Sequence, residues 1–226
     1  MERAAFPGSA ARRLAAEIRR VLETRERCSL ALSGGSTPRP VYEDLAAELP
    51  DREPWSRIDV FFGDERCVPP GDPASNYRTV REALLDRVPV VAAQVHRMEG
   101  ERDDHDEAAR AYEAILPDRL DLLVLGLGGD GHTASLFPGA PSLSESRRRV
   151  IAVSGPTPPR DRLTVTPPVI RDTRLTIGLV SGADKADALA RVIDGPYAPD
   201  RTPGQLARAG LWIADTAAAA RLEARR

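Results

Sequence analysis

Residues 122–127 read L-L-V-L-G-L, and a glycine-rich stretch follows at once. Six residues without a polar member suit a strand buried on both faces, as happens where helices cover both sides of a parallel sheet. Less pure runs recur at 29–33 (S-L-A-L-S), 58–62 (I-D-V-F-F), 150–153, 175–180 and 211–214. Between them, apolar side chains return at helical spacing: Leu14, Ile18, Val21 and Leu22, then Val41, Tyr42, Leu45 and Leu49. Ala108, Ala111, Tyr112 and Ile115 mark another helix, and Ala186, Leu189, Ala190 and Ile193 one more. Ser75 is placed to cap a helix running through Leu85, with Val80, Leu84 and Val88 on one face. Alternation of this kind predicts an α/β class with a mostly parallel sheet flanked by helices. The stretch 160–169, R-D-R-L-T-V-T-P-P-V, reads as an edge strand closed by prolines, which predicts a small additional lobe or edge strands beside the sheet.

No internal repeat or long linker interrupts the pattern, so residues 1–226 are read as one domain. The Pro-rich pieces at 156–159 and 195–203 are short enough to be surface loops. A formal net charge of −2 gives no basic field for a nucleic-acid backbone. No apolar run approaches the ~20 residues of a membrane-spanning helix, and the N-terminal stretch lacks the apolar core of a secretory signal. Cys28 and Cys67 stand far apart, outside any metal-type pair, and read as reduced thiols of a cytoplasmic protein. Nothing in the chain chooses between a monomer and a small homo-oligomer.

In an open parallel sheet, ligands bind beyond the carboxyl ends of the strands, so the segments that follow strands carry the functional information. The first is S-G-G-S-T-P-R-P at 33–40. Gly34 and Gly35 permit left-handed backbone, Ser36 and Thr37 offer hydroxyls at a helix start, and Pro38 fits the first helical turn. Such a turn suits an anion, and it also serves as an ordinary capped strand-to-helix junction. The spacing of a Walker A loop is absent.

The second is F-F-G-D-E-R-C-V-P-P at 61–70, followed by S-N-Y-R at 75–78. Arg66 has the planar fork that grips phosphate, and a surface ion pair with Asp64 or Glu65 is the alternative.

The third, G-L-G-G-D-G-H-T-A-S-L-F-P-G at 126–139, follows the most apolar strand. It contains the letters G-x-G-x-x-G, but Pro138 ends any helix early and the next strand runs into Ser154-Gly155 without an acid, so a dinucleotide site is rejected. What remains is a glycine turn presenting Asp130 and His132. An imidazole titrates nearest neutrality and suits a general base, and a carboxylate beside it sets its tautomer. His96 and His105 lie in polar, unpatterned surroundings. Further cations follow at Arg160, Arg162 and Lys185, the sole lysine of the chain. With Ser36 and Thr37 they can form a phosphate pocket at one end of the sheet.

Taken in order, S-G-G-S-T-P, G-D-E-R-C-V-P-P with S-N-Y, and above all D-G-H-T-A-S-L-F-P resemble the 6-phosphogluconolactonase family, part of the glucosamine-6-phosphate isomerase/6-phosphogluconolactonase superfamily. R-L-T-V-T-P-P-V-I, S-G-A-D-K-A and the terminal W-I-A-D-T-A-A-A-A-R-L extend the resemblance over nearly the whole chain. It implies a Rossmann-like fold shared with glucosamine-6-phosphate deaminases. It also implies hydrolysis of 6-phospho-D-glucono-1,5-lactone to 6-phosphogluconate in the oxidative pentose phosphate pathway, with no metal and no organic cofactor. The family's histidine base falls on His132 and its supporting aspartate on Asp130. The phosphate site falls on the loop Gly34, Gly35, Ser36 and Thr37 together with Arg66, Arg162 and Lys185. Two departures stand out: Gly129 occupies a position where relatives often carry proline, implying a looser turn, and residues 195–204 align poorly.

The backbone N–H groups of Gly34 and Gly35 are candidate donors to the oxyanion formed when water attacks the lactone. A serine nucleophile is disfavoured, because the G-x-S-x-G elbow is absent and Ser36 and Ser135 have no base other than His132. Two other readings stay open. One is a deaminase-like isomerase using Asp64 or Glu65 to move a proton at C2. The other is a non-catalytic sugar-phosphate sensor, which would need a DNA-binding module that this length does not accommodate.

Overall fold

The computed structural model describes residues 1–223. Eight strands are present: β1 Cys28–Leu32, β2 Ile58–Phe62, β3 Asp64–Arg66, β4 Leu122–Gly126, β5 Val150–Ser154, β6 Asp161–Val165, β7 Leu175–Val180 and β8 Leu211–Ala214. Seven helices accompany them: α1 Phe6–Thr24, α2 Pro38–Glu48, α3 Arg52–Ser56, α4 Asn76–Ala83, α5 His105–Ile115, α6 Pro167–Asp172 and α7 Ala186–Ile193. The predicted α/β class holds. Five strands form a wholly parallel sheet in the order β2-β1-β4-β7-β8. The core strand β4 buries Leu122, Leu123, Val124 and Leu125 completely, as its apolar run requires.

β1 lies between β2 and β4, so the chain leaves it toward one edge of the sheet and later returns on its other side. That reversal of direction opens a crevice at the carboxyl ends of β1 and β4, where the two glycine turns emerge side by side. Ser75 caps α4 as expected, its Oγ accepting from the Arg78 N–H at 3.1 Å. The helix stops at Ala83 rather than Leu85, and a short 3-10 turn covers Leu85–Arg87.

Two sequence expectations need correction. The run at 150–153 is not in the parallel sheet. With β3 and β6 it makes a separate antiparallel sheet in the order β3-β6-β5. Only its first residue, Val150, is fully buried, so it lacks the two covered faces that a central parallel strand has. The stretch 160–169 is not an edge strand either: β6 is the middle strand of that small sheet, with four of its five residues buried. The prolines at 167 and 168 do not cap a strand edge but open α6, where a missing N–H costs nothing. The small extra sheet itself was expected.

Candidate active site

A polar cleft of about 220 Å³ sits at the carboxyl ends of β1, β4 and β7. It is lined by residues from every segment singled out above: Gly34, Gly35, Ser36 and Thr37 after β1, Arg66 and Arg162 from the small sheet, His132 after β4 and Lys185 after β7. Its size lies below the ~300–1,000 Å³ of sites for drug-sized ligands, which favours a small metabolite. A larger groove of about 730 Å³ runs along β5, and most of its charges are already paired. Glu145 there accepts from the N–H groups of Ser146, Arg147 and Arg148, and Arg148 pairs with Glu113 at 2.6 Å.

The turn that bears Asp130 and His132 is closed by its own hydrogen bonds. The Gly128 N–H donates to the His132 carbonyl at 2.8 Å, and Thr133 Oγ1 donates to the Gly126 carbonyl at 2.9 Å. Oδ1 of Asp130 accepts from the His132 backbone N–H at 3.0 Å and lies 2.6 Å from His132 Nδ1. Partial burial alone would raise the Asp130 carboxyl, but the His132 N–H and imidazole outweigh it and hold the group below the usual carboxylate range. An ionised Asp130 accepts the Nδ1 proton, which leaves Nε2 of the neutral ring as the basic nitrogen. Gly131 takes φ +98°, which glycine adopts freely, whereas Ala134 takes the rarer φ +48°, so the backbone strain of the turn falls after the histidine.

Two tyrosines hold the loops that face this turn. The hydroxyl of Tyr42, on α2, accepts from the Ser33 N–H at 3.1 Å and donates to the Ser33 carbonyl at 2.9 Å. Tyr112, on α5, does the same to Phe62 at 2.7 and 3.1 Å. Each therefore pins the residue where a strand gives way to a site loop. Sequence periodicity marked both only as apolar helix positions, and their hydroxyl function has no signature at that level.

The β1 loop offers an anion less backbone than its sequence suggests. Pro38 and Pro40 both lack an N–H within the first turn of α2, so the donors there are the loop N–H groups and the hydroxyls of Ser36 and Thr37. Neither hydroxyl caps the helix: Thr37 occupies the N-cap in αR geometry without a side-chain bond. Gly34 is required for a reason not visible locally. A Cβ there would fall 2.0 Å from Oδ1 of Asn76, whose carboxamide packs against the turn.

Arg66 and Arg162 face each other as directly paired residues of β3 and β6. Like charges in that register repel, and an anion between them relieves the repulsion. Arg162 is only 8% exposed. Burial first, and then the Arg66 charge, pulls its pKa below the ordinary arginine value. Its guanidinium is steered by the carbonyls of Pro159 and Thr157 and sits 5.9 Å from the Phe137 ring centroid, while Phe137 lies 4.9 Å from the His132 ring. The alternative of an Arg66 ion pair with Asp64 or Glu65 is not realised among the described residues: Nη1 of Arg66 donates to the Ala74 carbonyl. Lys185 is partly neutralised by Asp184, 3.3 Å away.

The two acids after β2 have distinct surroundings. Glu65 is buried and accepts from the N–H groups of Arg66, Asn76 and Tyr77 and from Ser75 Oγ, which commits it to the start of α4. Burial dominates these bonds and raises its pKa. Asp64 is 6% exposed and lines the cleft, with Oδ2 accepting from Ser135 Oγ at 2.6 Å and Oδ1 from Asn76 Nδ2 at 3.1 Å. Ser135 thus donates to a carboxylate and not to the imidazole. Three buried polar atoms of cleft residues, Ser33 Oγ, Arg66 Nε and Asn76 Oδ1, have no hydrogen-bond partner among the described residues. His96 is stacked on Phe61 at 4.6 Å, outside the cleft, and His105 opens α5.

Neither departure noted in the sequence loosens the site. Gly129 is held from outside by Arg191 Nη2, which donates to its carbonyl at 3.2 Å. The Gly204 N–H donates to the Gly131 carbonyl at 2.9 Å, and residues 202–207 are almost wholly buried against the turn.

Comparison with known proteins agrees with this geometry. The sequence profile of the family described as glucosamine-6-phosphate isomerases/6-phosphogluconolactonase matches residues 2–213. A 6-phosphogluconolactonase from Synechocystis is 39% identical over 198 residues, covering 83% of this chain and 79% of the relative. One from Mycobacterium leprae is 37% identical over 231 residues, covering 95% and 93%. Among solved structures, the 6-phosphogluconolactonase from Trypanosoma cruzi superposes with a TM-score of 0.84 at 31% identity, covering 99% of this chain and 95% of that one.

Proposed function

This chain belongs to the glucosamine-6-phosphate isomerase and 6-phosphogluconolactonase family, and from that premise we propose that His132 is its catalytic base, oriented by Asp130. The reaction is that of the lactonases it resembles at 37–39% identity, hydrolysis of 6-phospho-D-glucono-1,5-lactone to 6-phosphogluconate in the pentose phosphate pathway. The observation that carries the mechanism is the 2.6 Å contact between Asp130 and Nδ1, which frees Nε2 in a cleft shared with Arg66, Arg162 and Lys185.

The δ-lactone is an activated ester, so a single water suffices as nucleophile. Nε2 of His132 takes a proton from that water as its oxygen bonds to C1. The negative charge passes to the former carbonyl oxygen, where the N–H groups of Gly34 and Gly35 are the proposed donors. Collapse of the tetrahedral species breaks the bond from C1 to the ring oxygen, and the imidazolium returns its proton to that oxygen. Asp130 stabilises the imidazolium while it exists. Ser36, Thr37, Arg66, Arg162 and Lys185 hold the distal phosphate, and that remote binding orients C1 against the base.

The test is turnover of 6-phosphogluconolactone by His132→Ala, together with binding of 6-phosphogluconate. Lost turnover with retained binding is expected; hydrolysis at the normal rate would remove His132 from the mechanism. Ammonia release from glucosamine 6-phosphate, measured on the wild-type protein, separates the isomerase reading. None is expected, because Glu65 is committed to α4 and Asp64 to Ser135 and Asn76.

A further inference from the structure

The proline- and glycine-rich piece between α7 and β8 reads as a surface loop, and residues 195–201 are exposed or half-buried accordingly, but the chain turns inward at Thr202 and stays buried to Ala207. It touches the loop bearing His132 at both ends. Near its start the Gly204 N–H donates to the Gly131 carbonyl at 2.9 Å, one residue before the histidine. Near its end the Gly139 N–H donates to the Asp200 carbonyl at 2.8 Å, two residues beyond Phe137. The fit is close: a Cβ on Gly131 would meet Thr202 Cγ2 at 3.1 Å, and one on Gly204 would meet Leu127 at 2.8 Å and Val192 at 2.9 Å.

A segment of this composition has no regular hydrogen-bonding ladder to give it shape. Turn bonds to the Ala198 and Thr202 carbonyls and the Arg208 guanidinium, which donates to the Ile193 and Gly195 carbonyls, supply part of it, and one buried side chain joins them. Gln205 is 2% exposed. Its Oε1 accepts from the Ala198 N–H at 2.6 Å, and its Nε2 donates to the carbonyls of Arg191 at 2.7 Å and Pro196 at 2.8 Å. Both amide hydrogens are therefore used, and the single carboxamide ties the end of α7 to the two arms of the loop. Arg191, whose carbonyl Gln205 holds, also sends its guanidinium to the Gly129 carbonyl. The catalytic turn is thus reached from Gln205 by two routes, through Gly204 and through Arg191.

We infer that Gln205 is a positioning residue for the reaction, holding residues 198–204 as a brace that keeps the His132 loop in its reactive geometry. The inference rests on His132 being the base. It predicts an effect on kcat in preference to KM, because the Ser36, Thr37 and Arg162 side of the cleft has no hydrogen bond to the brace. A displacement of about 1 Å in a catalytic group can cost about 10²-fold in rate.

The experiment measures kcat and KM for 6-phosphogluconolactone, with thermal unfolding as a check on folding, in Gln205→Ala, Thr202→Ala and His132→Ala. Gln205→Ala removes all three bonds, and the expected result is a fall in kcat of about 10- to 100-fold with KM within about twofold. Thr202→Ala keeps the backbone bonds and removes only the contact against Gly131, and it should lower kcat a few-fold. A folded Gln205→Ala with unchanged kcat, beside an inactive His132→Ala, overturns the brace and leaves the base standing. Full activity in His132→Ala instead overturns the base. If Gln205→Ala does not fold, unchanged kcat in Thr202→Ala overturns the brace, as does a rise in KM equal to the fall in kcat in either variant.

Discussion

A methyl group on Gly128 would fall 2.1 Å from Nδ1 of His132 and 2.5 Å from Oδ1 of Asp130. The backbone of this glycine is thus the floor on which the acid–base pair rests. Gly128 does not have positive φ, so alanine is compatible with its backbone and the obstacle is the side-chain contact alone. Gly128→Ala should fold and displace the imidazole, lowering kcat by about 10²-fold or more, the range for loss of a positioned base. Comparing kcat with the unfolding midpoint checks this: near-normal turnover in the folded variant would show that the pair tolerates displacement.

Asp130→Asn tests the tautomer argument separately from the base. An amide nitrogen opposite Nδ1 turns acceptor into donor, which favours the proton on Nε2 and blocks its basicity. The expected loss in kcat is about 10²-fold or greater with KM little altered. An equal effect on kcat from Asp130→Ala and Asp130→Asn would be uninformative about tautomers, so the ring nitrogens should be followed by ¹⁵N chemical shift. A shift of the proton from Nδ1 toward Nε2 in the Asn variant is the predicted signature.

The paired arginines predict an asymmetry among phosphate variants. Arg162 is buried beside Arg66 and has only carbonyl partners, whereas Lys185 already has Asp184 at 3.3 Å. Arg162→Ala should therefore raise KM by about 10- to 100-fold, the equivalent of one charged hydrogen bond, and Lys185→Ala by less. Inorganic phosphate should raise the unfolding midpoint of the wild type more than that of Arg162→Ala. Equal stabilisation of both proteins would place the anion elsewhere.

Much of this site was legible because its chemistry is local. Asp130, Gly131 and His132 are neighbours in the chain, and the apolar run of β4 announces where they emerge. The strand order of the small antiparallel sheet was not legible, since β3 has only three residues and pairs with a strand far along the chain. No alternation can be read from so short a piece, and without a visible second partner β6 reads as an edge strand. The Asp64–Ser135 bond joins residues 71 positions apart, and the tyrosine hydroxyls that pin Ser33 and Phe62 act on backbone groups that periodicity does not describe. Residues 202–207 escaped the sequence reading for the opposite reason: proline and glycine suggest exposure, while these residues are buried and the Gln205 carboxamide among them bonds to three backbone groups.

The depressed pKa of Asp130 links the proposed catalytic pair to folding, and its sign is definite. Burial opposes ionisation, but the His132 N–H and imidazole favour it more, so the folded carboxyl titrates below its unfolded value of about 3.9. Between those two values the unfolded chain binds the proton and the folded one does not. The pair's contribution is therefore fully present above about pH 5 and disappears as pH falls through the folded pKa. Urea unfolding of wild type and Asp130→Asn at successive pH values should show a gap that is constant near neutrality and narrows below about pH 4. The carboxylate is half exposed, so the gap should also shrink with added salt. A gap that widens as pH falls below about 4 would mean that Asp130 is held protonated, and its role as the acceptor for Nδ1 would fall with it.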